Sequence, residues 1–244
     1  MPDPATDWPR VRDDLRAEHE QVLQRLASPG TWFTGAQRTA IAAEARAASG
    51  CALCSERRDA LAPTFVTGRH DRASELPEAI VDAVHRIAVD PGRLARSDFE
   101  AWTTEFTDAE YVEIIGVVVQ ITAVDTLAAA LGKSPPALPE PVDGAPSQHR
   151  PPAAASDQAW VPTLPSGGRD PDSMTLFRGQ PSPNVARALS LVPDEVRAIT
   201  RLSRVQYVAA FDVADVSVGG GRAITRPQME LVAARVSALN ECFY

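Results

Sequence analysis

Apolar residues recur at helical spacing through most of the chain. Val11, Leu15, Val22 and Leu26 fall on one stripe, which Gly30 ends. The pattern predicts a second helix from Gly35 to Ala48. A third covers "LPEAIVDAVHRIAVD", with Pro77 in its first turn and Ile80, Val84 and Ile87 on one face. A fourth begins near Ser97. The fifth, "TDAEYVEIIGVVVQITAVDTLAAALG", opens with a Thr107–Glu110 capping box and stops at Gly132. It is apolar almost all round, which predicts a central buried helix.

Residues 133–170 change character. The stretch "SPPALPEPVDGAPSQHRPPAAA" is too rich in proline to hold a helix and predicts an extended linker. Helical patterns resume at about Ser182, at Pro193 to Val208 and from Arg226 onward. The segment "SVGGGRAI" predicts a turn; its glycines lack the Lys-Ser/Thr that a P-loop needs. Strand signals are weak, and "VQYVAAFDVADVSV" is the one ambiguous run. The expected fold class is all-α.

Two segments repeat. Residues 34–54 read "TGAQRTAIAAEARAASGCALC" and residues 225–244 read "TRPQMELVAARVSALNECFY". Aligned without gaps, Thr34 meets Thr225, Gln37 meets Gln228, Ala42-Ala43 meet Ala233-Ala234, and Cys51 meets Cys242. Shared Thr, Gln and Cys at one register predict two related helical units. The expected organisation is a first unit over 1–132, a linker over 133–170 and an incomplete second unit over 171–244.

Composition narrows the function. The chain has 244 residues, is 44% hydrophobic and carries a net charge of −8. That length supports a sizeable core. The negative charge argues against nucleic acid or an anionic membrane as partner. No run of 18 uncharged apolar residues suggests a bilayer span, and the N-terminus lacks a signal-peptide pattern, so a cytoplasmic location is expected. Lys133 is the sole lysine beside many arginines, a bias that carries no function.

The three cysteines are Cys51, Cys54 and Cys242. An odd count does not suggest a structural disulfide framework. Cys51 and Cys54 form a C-x-x-C with three open readings: a redox pair, inert buried thiols, or half of a zinc site. Positions three apart on a helix lie within disulfide reach, and Arg57 and Arg58 nearby favour a thiolate. Zinc requires two more ligands. His19, His70, His85 and His149 show no H-x(3–5)-H spacing. His70 and His85 are candidate histidine partners of the cysteines, with surface or satisfied packing roles the more expected.

The phrases "CALCSERRDAL", "VDAVHRIAVDPGRL", "YVEIIGVV", "RALSLVP" and "RPQMELVAARVSALNECFY" resemble the alkylhydroperoxidase D-like, or carboxymuconolactone decarboxylase-like, superfamily, and within it the alkylhydroperoxidase-related (seleno)protein group. The peroxidase members are all-helical. They carry a glutamate twelve residues before a C-x-x-C and a histidine four residues after it. Glu230 stands twelve residues before Cys242 in this register. In the first copy Thr39 and Arg58 stand where the glutamate and histidine would be, and Val124-Asp125 replace the Asn-Arg pair of the family's long helix.

The resemblance implies a peroxidase or reductase that works through Cys242 and a cysteine or selenocysteine three residues on, with Glu230 in a proton relay. It implies a chain end at a UGA codon after Tyr244, against the alternative of an ordinary stop. Glu230 reaches Cys242 only if the helix breaks and the chain turns back. The Cys51/Cys54 pair is the second candidate centre. The expected partners are a hydroperoxide, a thiol reductant protein or dithiol, and a second copy of the chain; no separate cofactor is expected. A non-catalytic oligomerisation unit and a carboxymuconolactone-type decarboxylase are the alternatives. The apolar face of the last helix, with Met229, Val232, Val236 and Leu239, is expected to lack cover and to promote association.

Overall fold

The computed structural model describes residues 11–209, 212–213, 215–219, 222–240 and 242. Ten α-helices occur among them. They are α1 (Asp13–Ala27), α2 (Gly35–Ala47), α3 (Ala52–Asp59), α4 (Glu78–Val89), α5 (Arg96–Trp102), α6 (Asp108–Ala130), α7 (Pro171–Phe177), α8 (Asn184–Arg187), α9 (Pro193–Gln206) and α10 (Arg226–Leu239). A lone antiparallel bridge, Ala155 to Thr163, is the only β pairing among the described residues. The all-α expectation holds. The described part of the ambiguous 205–218 run contains no strand. The triple glycine lies partly outside the described residues, as does the chain end around Cys242.

Helix α6 is the axis. Thr107 caps it by accepting from the Glu110 amide while Glu110 accepts from the Thr107 amide. Helices α1, α2, α4 and α9 all pack on it. Ile114, Val117, Ile121 and Val124 are fully buried along its length. By length and composition α6 could cross a membrane, with a mean hydropathy of 1.7 over its most apolar window. Here those side chains meet other helices, and Glu113 and Gln120 sit among them fully buried. A sequence test for spans reads the apolarity and is blind to what covers it.

A buried ion cluster ties α9 to this body. Arg38 on α2 donates to Glu113 on α6 and, at 2.8 Å, to Glu195 on α9. Gln120 donates to the other Glu195 oxygen at 2.7 Å, and the Trp32 amide donates to Glu113 at 2.6 Å. Burial, with Glu195 alongside, pushes the Glu113 carboxyl up against the opposing pull of Arg38. Space for this cluster comes from two glycines. A Cβ at Gly30 would collide with Glu113 and one at Gly116 with Glu195.

The proline-rich stretch has no helix from 133 to 170, as its composition requires. It is nevertheless bonded along the first body. The Val142 amide donates to Ala27 O at 2.8 Å, Gln148 to Thr31 O at 2.7 Å, and Arg150 pairs with Asp108 through two bonds. Val161 and Leu164 are buried at its far end. It is a strap laid across packed helices. Leu191, Val192 and Leu202, from the second half, share a core with α1, α2, α4 and α6.

The helix expected at about Ser182 is the short α8, Asn184–Arg187, and α7 before it is an addition to the sequence pattern. Asp170 caps α7, Pro171 opens it, and Arg178 and Gly179 in left-handed conformation close it. The capping signals were present; its seven residues are too few for a hydrophobic period to register.

Candidate functional site

The site is built where α2 gives way to α3. Helix α2 ends at Ala47 and a 3₁₀ turn, Ala48–Gly50, redirects the chain. Cys51 then occupies the N-cap of α3 in extended conformation, and Cys54 lies in the helix's first turn. Both thiols are free and buried. Ser49, Gly50 and Ala52, the sequence neighbours of Cys51, are exposed, while Cys51 itself is buried.

Two histidines close on the sulfurs. His70 arrives on the loop after α3, and His85 projects from α4. Their ring centroids are 4.4 Å apart. His70 Nδ1 is 3.5 Å from Cys51 Sγ and 3.5 Å from Cys54 Sγ. His85 Nδ1 is 3.4 Å from Cys54 Sγ. The four donor atoms lie within 4.8 Å of one another, and all four residues are buried. Both histidines are buried against the cysteines, which excludes a surface position and brings together the less expected pairing. Sequence spacing did not reveal it because the four side chains come from three separate elements.

Each imidazole is backed by a carboxylate. His85 Nε2 lies 3.0 Å from Glu44 Oε2, and Glu44 also accepts from the Ala73 amide and the Ser74 hydroxyl. His70 Nε2 lies 2.9 Å from Asp82 Oδ1, and Asp82 also accepts from Arg57 and from Trp102 Nε1. Burial opposes both carboxylates, yet these donors hold Glu44 and Asp82 below their ordinary pKa. In the tautomer with N–H on Nε2, each ring donates to its carboxylate and each Nδ1 turns a lone pair toward the sulfurs; Arg57 Nη1 also lies 3.2 Å from His70 Nε2. Burial keeps His85 below its ordinary value; for His70 burial acts the same way but Asp82 and Cys51 outweigh it and raise it.

The two thiols differ. Burial raises Cys51, but the amides of Cys54 and Asp71, with His70, lower it overall. The Asp71 amide donates to Cys51 Sγ at 3.4 Å. Cys54 is pushed up to about 12 by burial and by Cys51 beside it. A cleft of about 750 Å³ runs along the outer side of the cluster, with Arg57, His70, Asp82, Trp102, Phe33 and Phe106 in its walls.

The other pair of candidate residues is not assembled in this way. Helix α10 runs unbroken from Arg226 through Leu239, so Glu230 remains a helix length from its end, about 13 Å by helical rise. The turn back that would carry Glu230 to Cys242 is absent among the described residues. Glu230 instead accepts from Tyr207 Oη and from Arg226. Cys242 is exposed, and its amide donates to Ser237 O at 2.9 Å. Leu231, Val232, Val236 and Leu239 are exposed, whereas Met229 is buried.

Glu44 and Asp82 escaped the sequence reading, although one signal was available. Glu44 lies three residues after Ile41 and His85 four after Val81, both on otherwise apolar faces. A polar group on a buried stripe requires a partner. Comparison with family models, with curated proteins and with solved structures finds no match for this chain.

Proposed function

We propose that the chain is a thiol-dependent oxidoreductase that reduces hydroperoxides, with Cys51 and Cys54 as its working pair. The observation that carries this reading is the placement of both free sulfurs against the His70 imidazole at the start of α3. Cys51 is the attacking thiol. It receives backbone amides, which favour the thiolate. Cys54, held protonated, is the resolving thiol.

The thiolate of Cys51 attacks the terminal oxygen of ROOH. The O–O bond breaks, the alkoxide takes a proton and leaves as ROH, and Cys51 becomes a sulfenic acid. Cys54 then condenses with it, forming the disulfide and releasing water. A thiol reductant returns two electrons by exchange, so each turnover oxidises one dithiol. His70 accepts and returns the proton through Nδ1 while Asp82 steadies its outer nitrogen.

The finer organisation of two related units belongs to the same reading. It draws support from the matched starts of α2 and α10. At both starts the Thr amide, of Thr34 and of Thr225, donates to the side-chain oxygen of the Gln three residues on, Gln37 and Gln228. On this reading Cys242 is the second copy's counterpart of Cys51.

Peroxide-dependent oxidation of dithiothreitol by the zinc-free chain, with Cys51→Ser and Cys54→Ser beside it, tests the proposal. Loss of turnover in both variants is expected. Turnover of the parent no faster than that of the variants sinks it.

A further inference from the structure

We propose that Cys51, Cys54, His70 and His85 form a tetrahedral zinc site that joins α3, the loop carrying His70, and α4. The first argument is metric. Zn–S bonds of about 2.3 Å and Zn–N bonds of about 2.0–2.1 Å, at the tetrahedral angle, set sulfur and nitrogen about 3.5 Å apart. The three sulfur–nitrogen separations seen here are 3.4, 3.5 and 3.5 Å. All four donor atoms lie within 4.8 Å of one another, close enough to share one ion.

The second argument is the orientation of the rings. Glu44 and Asp82 lie against Nε2 of His85 and His70, so in the tautomer with N–H on Nε2 both Nδ1 lone pairs face the sulfurs. That carboxylate–imidazole arrangement is the one that orients histidine ligands and raises their basicity. Cys51 Sγ also accepts from the Asp71 amide, which supports a coordinated thiolate. Packing histidines satisfied by a carboxylate alone would have no reason to bring both Nδ1 atoms onto Cys54 Sγ, with His70 Nδ1 on Cys51 Sγ as well.

Two sulfurs and two nitrogens suit zinc, which prefers tetrahedral N/S sites. All four positions are filled by protein, so the ion would be structural, with no open position for water or substrate. It would fasten residues 51–85, a stretch whose loop between α3 and α4 is otherwise largely exposed.

The inference stands apart from the redox reading. Zinc on both sulfurs leaves neither free to attack a peroxide, so hydroperoxide turnover belongs to the zinc-free chain. A bound ion with no turnover after its removal overturns the redox reading alone. Turnover without zinc affinity overturns the site alone.

The test is zinc titration of the reduced full chain against a chromophoric chelator, with metal content by mass spectrometry. X-ray absorption at the zinc edge counts the ligands. The expected result is one ion per chain with two sulfur and two nitrogen neighbours. Cys51→Ser and His85→Ala abolish tight binding, and Cys242→Ser leaves it unchanged. Glu44→Gln keeps all four ligands and is expected to weaken binding 10- to 100-fold by releasing the His85 ring. Should the ligand variants fail to fold, the parent's ligand count and the Glu44→Gln shift still decide. Less than stoichiometric zinc in the reduced parent, or a neighbour shell other than two sulfurs and two nitrogens, overturns the site.

Discussion

The segment from Thr34 to Cys51 and the segment from Thr225 to Cys242 share a register and a capping box, yet they end in opposite surroundings. Cys51 is 1% exposed and touches an imidazole; Cys242 is exposed. The difference arises along the helices that lead to them. Helix α2 carries Arg38 and Glu44, both buried and both bonded to other elements. At the same register α10 carries Met229 and Arg235. A helix that is anchored by buried polar partners delivers its cysteine into the interior. One whose apolar face is uncovered leaves its cysteine outside.

Exchanging the anchor breaks that comparison most severely. Arg38→Met installs the second segment's residue at the first. It leaves Glu113 and Glu195 buried without their cation, and such losses cost about 3–5 kcal/mol. Chemical denaturation is expected to show a loss of that size. A loss under about 1 kcal/mol would mean that the cluster does not anchor α2 and α9.

Thiol reactivity sharpens the contrast without altering the fold. In the native, zinc-free chain Cys242 is expected to alkylate at least about 100-fold faster than Cys54, which is buried and holds its proton. Timed alkylation followed by peptide mass spectrometry measures both. Comparable rates would show that the interior placement of the first pair is not maintained in solution.

The smallest effect concerns the strap between the two segments. Asp108 lies below its ordinary pKa, chiefly because Arg150 bonds to it. A lowered carboxyl contributes stability above its unfolded pKa and loses it as pH falls through the folded value. Both side chains are partly exposed, so Arg150→Ala is expected to cost about 0.2–1 kcal/mol near neutral pH. That difference should vanish in acid below the lowered Asp108 pKa. A pH-independent difference would assign the effect to packing of the strap rather than to the ion pair.

The helices were largely legible from the sequence. Capping residues at Thr34, Thr107 and Thr225, proline at helix starts and the periodicity of α4 and α6 are local signals, and local hydrogen bonding obeys them. The C-x-x-C was legible as well, since two sulfurs one turn apart need only one helix. The histidines were not. His70 and His85 lie 19 and 34 residues beyond Cys51 by their numbers, and their convergence depends on how α4 packs on α2 and α3. Glu230 stands twelve residues before Cys242, and α10 is continuous over Arg226–Leu239 between them.

By itself, the sequence determined the all-helical class, the long apolar α6, the extended proline-rich stretch and the two equivalent capped helices. Each follows from interactions within a few residues. Only the tertiary structure decided which cysteines have partners, that Glu44 and Asp82 orient two imidazoles, and that the proline-rich stretch binds along the first body. Those outcomes depend on burial, because an uncovered thiol or carboxylate is satisfied by water, whereas a buried one requires a partner from elsewhere in the chain.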